Sequence, residues 1–159
     1  LYHGNLSVGE NVSAVEYLLE NVIGDTEFRF VVAGRNPGEA LQRKIAQYKN
    51  VVLVANPDDM QLEKLLREAH INLLVTDQST GVKLKLMNAL YNGRHCLVNS
   101  KMVEGTGLAE ACSIADLPAD LRNEISRLMV SNFDEKALEN RRKILQKTTI
   151  FEDIKNIIL

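Results

Sequence analysis

Residues 71–99 decide the fold: Ile71-Asn72-Leu73-Leu74-Val75-Thr76, then Asp77-Gln78-Ser79-Thr80-Gly81, then Val82-Lys83-Leu84-Lys85-Leu86-Met87-Asn88-Ala89-Leu90-Tyr91, then Asn92-Gly93-Arg94-His95-Cys96-Leu97-Val98-Asn99. The first piece holds the continuous apolar run that a strand covered on both faces needs. The second is small and hydroxylated, which predicts a loop. In the third, Val82, Leu86, Ala89 and Leu90 recur at helical spacing, while Gly81, Lys85, Asn88 and Asn92 form a separate stripe at i, i+4, i+7 and i+11. One face packs and the other is free for a ligand. Asn92-Gly93 predicts a left-handed stop, and His95 to Val98 predicts a return to the sheet. A loop between strand end and helix start lies at the carboxyl edge of a parallel sheet, where free N–H groups and the helix dipole favour phosphate or sugar hydroxyls. A ligand is therefore expected over Ser79 to Gly81.

The chain before this unit alternates strand and helix. Leu1 to His3 is a short strand, Gly4-Asn5-Leu6 a turn, and Ser7-x-x-Glu10 has the form of a capping box for a helix buried through Val12, Val15, Leu19 and Val22. Phe28 to Ala33 is a second strand leading to Gly34. Asn36-Pro37 reads as cap and first residue of a second helix, with Leu41, Ile45 and Tyr48 inward. Val51 to Ala55 is a third strand, and Asp58 or Asp59 caps a helix buried through Leu62, Leu65, Leu66 and Ala69. Connections this short between strands allow only parallel, right-handed crossovers. The fold class expected is α/β, a doubly wound, Rossmann-like, mostly parallel six-stranded sheet with flanking helices. Leu73, Leu74, Val75, Leu97 and Val98 should be buried.

Beyond Asn99 the pattern weakens. Glu104 to Gly107 is a loop, Leu108 to Cys112 a short helix, and Ser113 to Ala115 a brief sixth strand. Helices follow from Pro118, buried through Leu121, Ile125, Leu128 and Met129, and from Asp134, with Leu138 and Leu145. Thr148 or Thr149 caps a last one whose Ile150, Phe151, Ile154, Ile157 and Ile158 need a docking surface. Residues 1–99 thus form the β/α core, and residues 100–159 a weaker last strand and a helical tail.

A chain of 159 residues with 45% apolar content is one domain that buries a core without staples. Cys96 and Cys112 lack Cys-x-x-Cys spacing, so they read as reduced, buried thiols in a cytoplasmic protein. A net charge of -2 with mixed signs offers no basic stripe for nucleic acid. No segment approaches the roughly 18 apolar residues of a membrane span. The abrupt start at Leu1-Tyr2-His3 suggests a piece of a longer protein.

Fold alone does not choose a function. A dinucleotide fingerprint would need Gly-x-Gly-x-x-Gly, and Gly4-Asn5-Leu6-Ser7-Val8-Gly9 lacks the middle glycine. A phosphorelay receiver would end its third strand on Asp, where this chain has Asn56, and a Walker loop is absent.

The run from Gly81 to Val98 resembles the Gly-x-x-x-Lys-x-x-Glu-Ala-x-x-x-Gly-x-Pro-Val-Val stretch of nucleotide-sugar-dependent glycosyltransferases of the two-domain GT-B type, the retaining group-one members in particular. Gly4-Asn5-Leu6 followed by Glu10-Asn11-Val12 sits where those enzymes have Gly-Arg-Leu and then Lys-Asn, and Gly34 sits where they have a glycine after the second strand. The resemblance implies the C-terminal, donor-binding half of a glycosyltransferase acting on a glycan or lipid-linked acceptor, for example in polysaccharide biosynthesis. A preceding acceptor domain would be missing, and the fragment alone would be inactive. In the full-length protein the site would be cytoplasmic or at the inner face of the membrane. Neither metal nor cofactor is implied beyond the nucleoside-diphosphate sugar.

On that resemblance the donor-binding candidates are Gly4, Asn5, Arg35, Ser79, Thr80, Gly81, Lys85 and Asn88. The pattern also departs from the family. Asn5 and Glu10 replace the Arg and Lys that neutralise the diphosphate, and Thr80 and Asn88 replace the Glu-x7-Glu pair. Asn88 retains an amide able to bond a ribose hydroxyl. Lys83 and Lys85 project roughly 200 degrees apart, so only Lys85 shares the Gly81/Asn88 stripe. Each candidate keeps a structural alternative: Lys85 and Asn88 as helix-bridging residues, Glu10 as a capping-box residue, His3 and His95 as strand histidines, and His70 as a helix-end charge. Arg35 stands at a strand end where it can replace the lost arginine. Any cavity should open at the carboxyl edge, bounded by Gly4-Asn5, Gly34-Arg35, Asn56-Pro57, Ser79 to Gly81 and Glu104 to Gly107. Two other readings remain open: a degenerate binding or assembly module of the same fold, and an unrelated nucleotide-binding α/β domain.

Overall fold

The computed structural model describes residues 1–78 and 83–147. Strands and helices alternate through β1 (Tyr2–Asn5), α1 (Gly9–Leu18), β2 (Phe30–Arg35), α2 (Glu39–Ile45), β3 (Val51–Ala55), α3 (Asp59–Glu68), β4 (Ile71–Leu74), α4 (Leu84–Asn92) and β5 (His95–Val98). Then come α5 (Ser100–Val103), β6 (Ser113–Ile114), α6 (Pro118–Met129) and α7 (Glu135–Lys147). All pairings are parallel, in two three-stranded sheets ordered β1-β2-β3 and β4-β5-β6. The two meet at Leu1, whose amine donates to the Ile71 carbonyl at 2.8 Å and whose carbonyl accepts from Leu73 N–H at 2.8 Å. Across that junction the strand order is 3-2-1-4-5-6, the doubly wound arrangement that the alternation predicts. The expected six-stranded sheet is thus two halves sharing one short seam.

The core lies on both faces of this array. Leu73, Leu74, Val75, Leu97 and Val98 are buried as expected, with Val15, Leu18, Leu86, Leu90, Leu121 and Leu128 packed from the helices. Sheet and helix faces that remove this much apolar surface from water supply the main driving force for the fold.

Several local expectations are corrected. Ser7 does not cap α1, whose N-cap is Val8 without a side-chain bond; the Ser7 N–H and hydroxyl instead donate to Asn5 Oδ1 at 3.1 and 2.8 Å. Asn36 does not cap α2, whose N-cap is Gly38. Asn36 adopts a left-handed φ of 52°, as does Asn56 after β3, and its N–H donates to Asn56 Oδ1 at 2.7 Å. Asparagine tolerates that conformation, so these two residues turn the chain outward rather than nucleate helices. Asp58 does form the capping box of α3 with Gln61.

Gly93 ends α4 in an extended conformation, φ -95°, not a left-handed one. Its glycine character answers a close approach: a Cβ there would lie 2.2 Å from Asn72 Nδ2 and 2.6 Å from the Ala89 carbonyl. α4 itself is described from Leu84. Residues 79–82, which take in Ser79 to Gly81 of the expected loop and Val82 of the expected helix, and the expected terminal helix from Thr148 to Leu159 lie outside the described residues. The short segment before β6 is a 3-10 turn, Ala109–Ala111.

Candidate functional site

The strand order reverses between β1 and β4, and a crevice forms outside the carboxyl ends of strands at such a switch point. The residues facing it come from β1, α1 and α4. Lys85, in the first turn of α4, turns inward and donates from Nζ to Asn11 Oδ1 at 2.7 Å and to the Tyr2 hydroxyl at 3.4 Å, with the ammonium 5.5 Å from the Tyr2 ring centroid. Asn11 is the hub. Its Oδ1 also accepts from the Tyr2 hydroxyl at 3.0 Å, and its Nδ2 donates to the Asn5 carbonyl at 2.9 Å, which fixes the end of β1.

Charge is concentrated here in a half-buried place. Burial lowers the Lys85 pKa, while the nearby Glu10 opposes that shift. Burial first, and Glu10 second, raise the Tyr2 phenol, so it stays protonated and able to donate. Glu10 is not a helix cap: its Oε1 accepts from the Thr76 hydroxyl, joining α1 to the chain just beyond β4. This corrects the capping-box reading, because with Val8 as N-cap the Glu10 side chain faces the crevice rather than its own helix start. A cavity of about 180 Å³ opens beside it, lined by Ser13, Tyr17, Thr76, Asp77, Asn99 and Asp116. Asn99 clamps its floor by donating to the Thr76 carbonyl at 2.7 Å and accepting from Thr76 N–H at 3.1 Å. Asp116 accepts from Ser100 N–H at 2.8 Å and from its hydroxyl at 2.6 Å, and these bonds hold its carboxyl below the usual range.

The expected site residues are only partly brought together. Gly4 and Asn5 end β1 beside Asn11, and a Cβ on Gly4 would sit 3.2 Å from the Asn11 side chain. Arg35 ends β2, one strand away from the β1/β4 seam, and pairs at 3.3 Å with Asp59. Asn88 is exposed on α4, and its carbonyl accepts from Asn92 Nδ2 at 3.3 Å. Ser79, Thr80 and Gly81 lie outside the described residues. Lys83 projects elsewhere, donating to the Gln78 carbonyl at 2.6 Å, in keeping with its separation from Lys85 on the helix. The cavity beside Glu10 is lined from α1 and from the chain just beyond β4 and β5, and of the expected turns Ser79 to Gly81 lie outside the described residues.

Another cavity, about 380 Å³, contradicts the expectation that cavities open at the carboxyl edge. It lies at the amino ends of the strands, against Leu1, Phe30, Ile71, Leu65, Ile125 and Met129, and is mostly apolar. Among the described residues no three His, Cys, Asp or Glu side chains are grouped to hold a metal ion, and no helix is long and apolar enough to cross a membrane.

Sequence reasoning missed Tyr2, Asn11, Thr76 and Asn99. Asn11 carried a usable signal, since it aligns with the Asn of the family's Lys-Asn pair. Thr76 and Asn99 carried none beyond their places at strand ends.

The sequence matches the family description "Glycosyl transferases group 1" over residues 1–131. The chain belongs to the group 1 glycosyltransferases. Among solved structures it is similar to one titled "OtsA apo structure", with a TM-score of 0.61 at 13% identity over 91% of this chain and 38% of that one. It is also similar to an alpha,alpha-trehalose-phosphate synthase (UDP-forming) from Burkholderia xenovorans in complex with glucose-6-phosphate, with a TM-score of 0.60 at 13% identity over 92% of this chain and 38% of that one. At such identity the likeness is one of fold, the Rossmann-like half of a GT-B architecture. The chain spans 38% of the length of each of these two structures. No curated protein sequence matches it.

Proposed function

We propose that this group 1 glycosyltransferase chain binds a nucleoside-diphosphate sugar in the crevice between β1 and β4, and that a second, acceptor-binding half completes the enzyme. The observation that carries the reading is the inward Lys85, held by Asn11 and Tyr2 at the point where the strand order reverses. A pre-positioned ammonium in a half-buried crevice can stabilise the charge that develops on a departing diphosphate without reorganising during the reaction. Asn5 at the end of β1 and the Ser79 to Gly81 loop supply further polar groups on this reading, and Asn88 meets the ribose. Arg35 is the weakest member of the set, since it stands one strand away and already pairs with Asp59.

A second reading, the degenerate binding module, is favoured by one observation: Glu10 already places a carboxylate near Lys85. Calorimetric titration with uridine diphosphate and other nucleoside diphosphates and their sugars distinguishes the two. On the first reading the wild-type chain binds at least one of these, and Lys85→Ala weakens that binding about tenfold to a hundredfold, the usual worth of a hydrogen bond to a charged group. Lys83→Ala leaves it unchanged. Absence of any heat at millimolar ligand would discard donor binding and leave the module.

A further inference from the structure

Away from the crevice, the two cysteines of the chain meet. β5 and β6 pair in parallel with Leu97 opposite Ser113 and Val98 opposite Ile114, and one step back along both strands sets Cys96 opposite Cys112. Residues opposite one another in a sheet point to the same face, and adjacent strands lie about 4.8 Å apart, inside the roughly 4.4–6.8 Å Cα spacing that a disulfide spans. Both thiols are free. Cys96 is buried and Cys112 half-buried, and a cavity of about 240 Å³ opens onto both, with Arg141 and Phe133 in its wall. This cavity lies away from the Lys85 crevice and shares no lining residue with the cavity beside Glu10.

We propose that Cys96 and Cys112 form a dithiol that exchanges with low-molecular-weight disulfides, Cys112 attacking first and Cys96 resolving. In the first step the Cys112 thiolate attacks one sulfur of a small disulfide such as oxidised glutathione. That S–S bond breaks, a mixed disulfide forms, and one thiolate leaves. In the second step the Cys96 thiolate attacks Cys112 Sγ, the mixed S–S bond breaks, the Cys96–Cys112 bond forms, and the second small thiolate leaves. The two protein protons end on the two released thiols, so the protein is oxidised by two electrons and the small disulfide is reduced by two.

The surroundings suit that order. Cys112 is the more accessible thiol. The Cys96 thiol is held well above its ordinary range, first by the neighbouring Cys112 and then by burial, while the Arg141 charge opposes both. Capping Cys112 removes the first of these influences, leaving burial opposed by the Arg141 charge. The bridge would staple β6, which is only two residues long, to the interior strand β5. It would thereby fix the segment leading to Asp116.

The test is incubation of the full chain with oxidised glutathione under native conditions, followed by intact mass measurement and peptide mapping. The expected result is loss of two hydrogens, a Cys96–Cys112 crosslinked peptide, reversal by dithiothreitol, and slower amide exchange across residues 104–112 in the oxidised form. Cys96→Ser should stop with one glutathione on Cys112, and Cys112→Ser should take none. Cys96→Ala, which leaves no extra hydroxyl in the core, should behave as Cys96→Ser does. A wild-type chain that stays reduced, that reacts only in urea, or that crosslinks between two molecules would overturn the proposal. Equal glutathionylation of the two single variants would overturn it as well.

Discussion

His3 carries its imidazole into the core of β1, 3% exposed, in a place that a sequence reading treats as ordinary for a strand histidine. Burial, reinforced by the neighbouring Lys85 charge, lowers its pKa from 6.5 to about 4, so it is neutral at pH 7. In the unfolded chain the ring titrates near its ordinary value of about 6.5. Between the two values the unfolded state binds the extra proton, so stability rises with pH across that window. The contribution is fully present above about pH 6.5 and is lost as the pH falls toward 4. The gap corresponds to on the order of 3 kcal/mol. Urea unfolding of the wild type is therefore expected to show a falling midpoint from pH 7 to pH 5, with a smaller slope in His3→Leu, the remainder coming from the buried Leu1 amine, whose pKa burial lowers to about 5. An unchanged slope in the variant would assign the pH dependence elsewhere, to the Leu1 amine and then to His95, since burial lowers the pKa of both.

α4 shows how one helix end is built by residues far away in sequence. Its last carbonyls, left without intrahelical donors, are met by Arg141 of α7: Nη1 donates to the Leu90 carbonyl at 3.2 Å and to the Gly93 carbonyl at 2.8 Å, and Nη2 donates to the Arg94 carbonyl. The guanidinium stacks 4.5 Å from the Phe133 ring centroid, and the residue is buried. Arg141→Met removes these donors from buried acceptors and should destabilise the chain by roughly 2–4 kcal/mol, against about 1 kcal/mol or less for Arg142→Met on the exposed side of the same helix. Thermal unfolding of the two variants checks this, and similar losses from both would mean that the carbonyls are satisfied by water. The strands and the apolar helix stripes were legible in the sequence because their periodicity follows local geometry, as Leu73, Leu86 and Leu121 illustrate. Helix starts were less legible. Glu10 and Asn36 have cap-like spacing, yet each finds a partner far away in sequence, and a pattern of local spacing carries no information about that; Ser7 turns back instead to Asn5. The site was partly legible for the same reason: Lys85 was marked by its stripe on α4, whereas Tyr2, Thr76 and Asn99 become site residues only when β1, β4 and β5 are brought side by side. Arg141 lay on the stripe of Leu138 and Leu145, so its burial was readable from spacing, although its partners were not.

At the scale of the whole molecule, the two half-sheets touch through Leu1 and open toward the carboxyl edge, where a carboxylate, Glu10, stands in the position that the family gives to a lysine. On the proposed function, a diphosphate would bring negative charge to a crevice that already holds this carboxylate, with Asp77 and Asp116 on the adjacent cavity wall. Among the described residues Lys85 offsets it at the crevice, while Lys101 stands 3.8 Å from Asp77. Two lost cations, Asn5 for Arg and Glu10 for Lys, remove roughly 1.5–3 kcal/mol each on the scale of hydrogen bonds to charged groups, which takes a micromolar donor site toward millimolar. The isolated chain should also transfer no sugar, since the acceptor and the water-excluding closure belong to the other half of a two-domain transferase. Reversing one of the two losses tests the electrostatic part directly. Glu10→Lys is expected to tighten uridine diphosphate binding by about tenfold to a hundredfold, and Glu10→Gln by less, because the amide removes the repulsion without adding a cation. Both gains should shrink as salt is raised from 0.05 to 0.5 M, roughly as the screening length shortens. Binding that is indifferent to both substitutions would place the nucleotide away from α1 and the β1/β4 seam, and sugar transfer by the chain alone would show that the second half is dispensable.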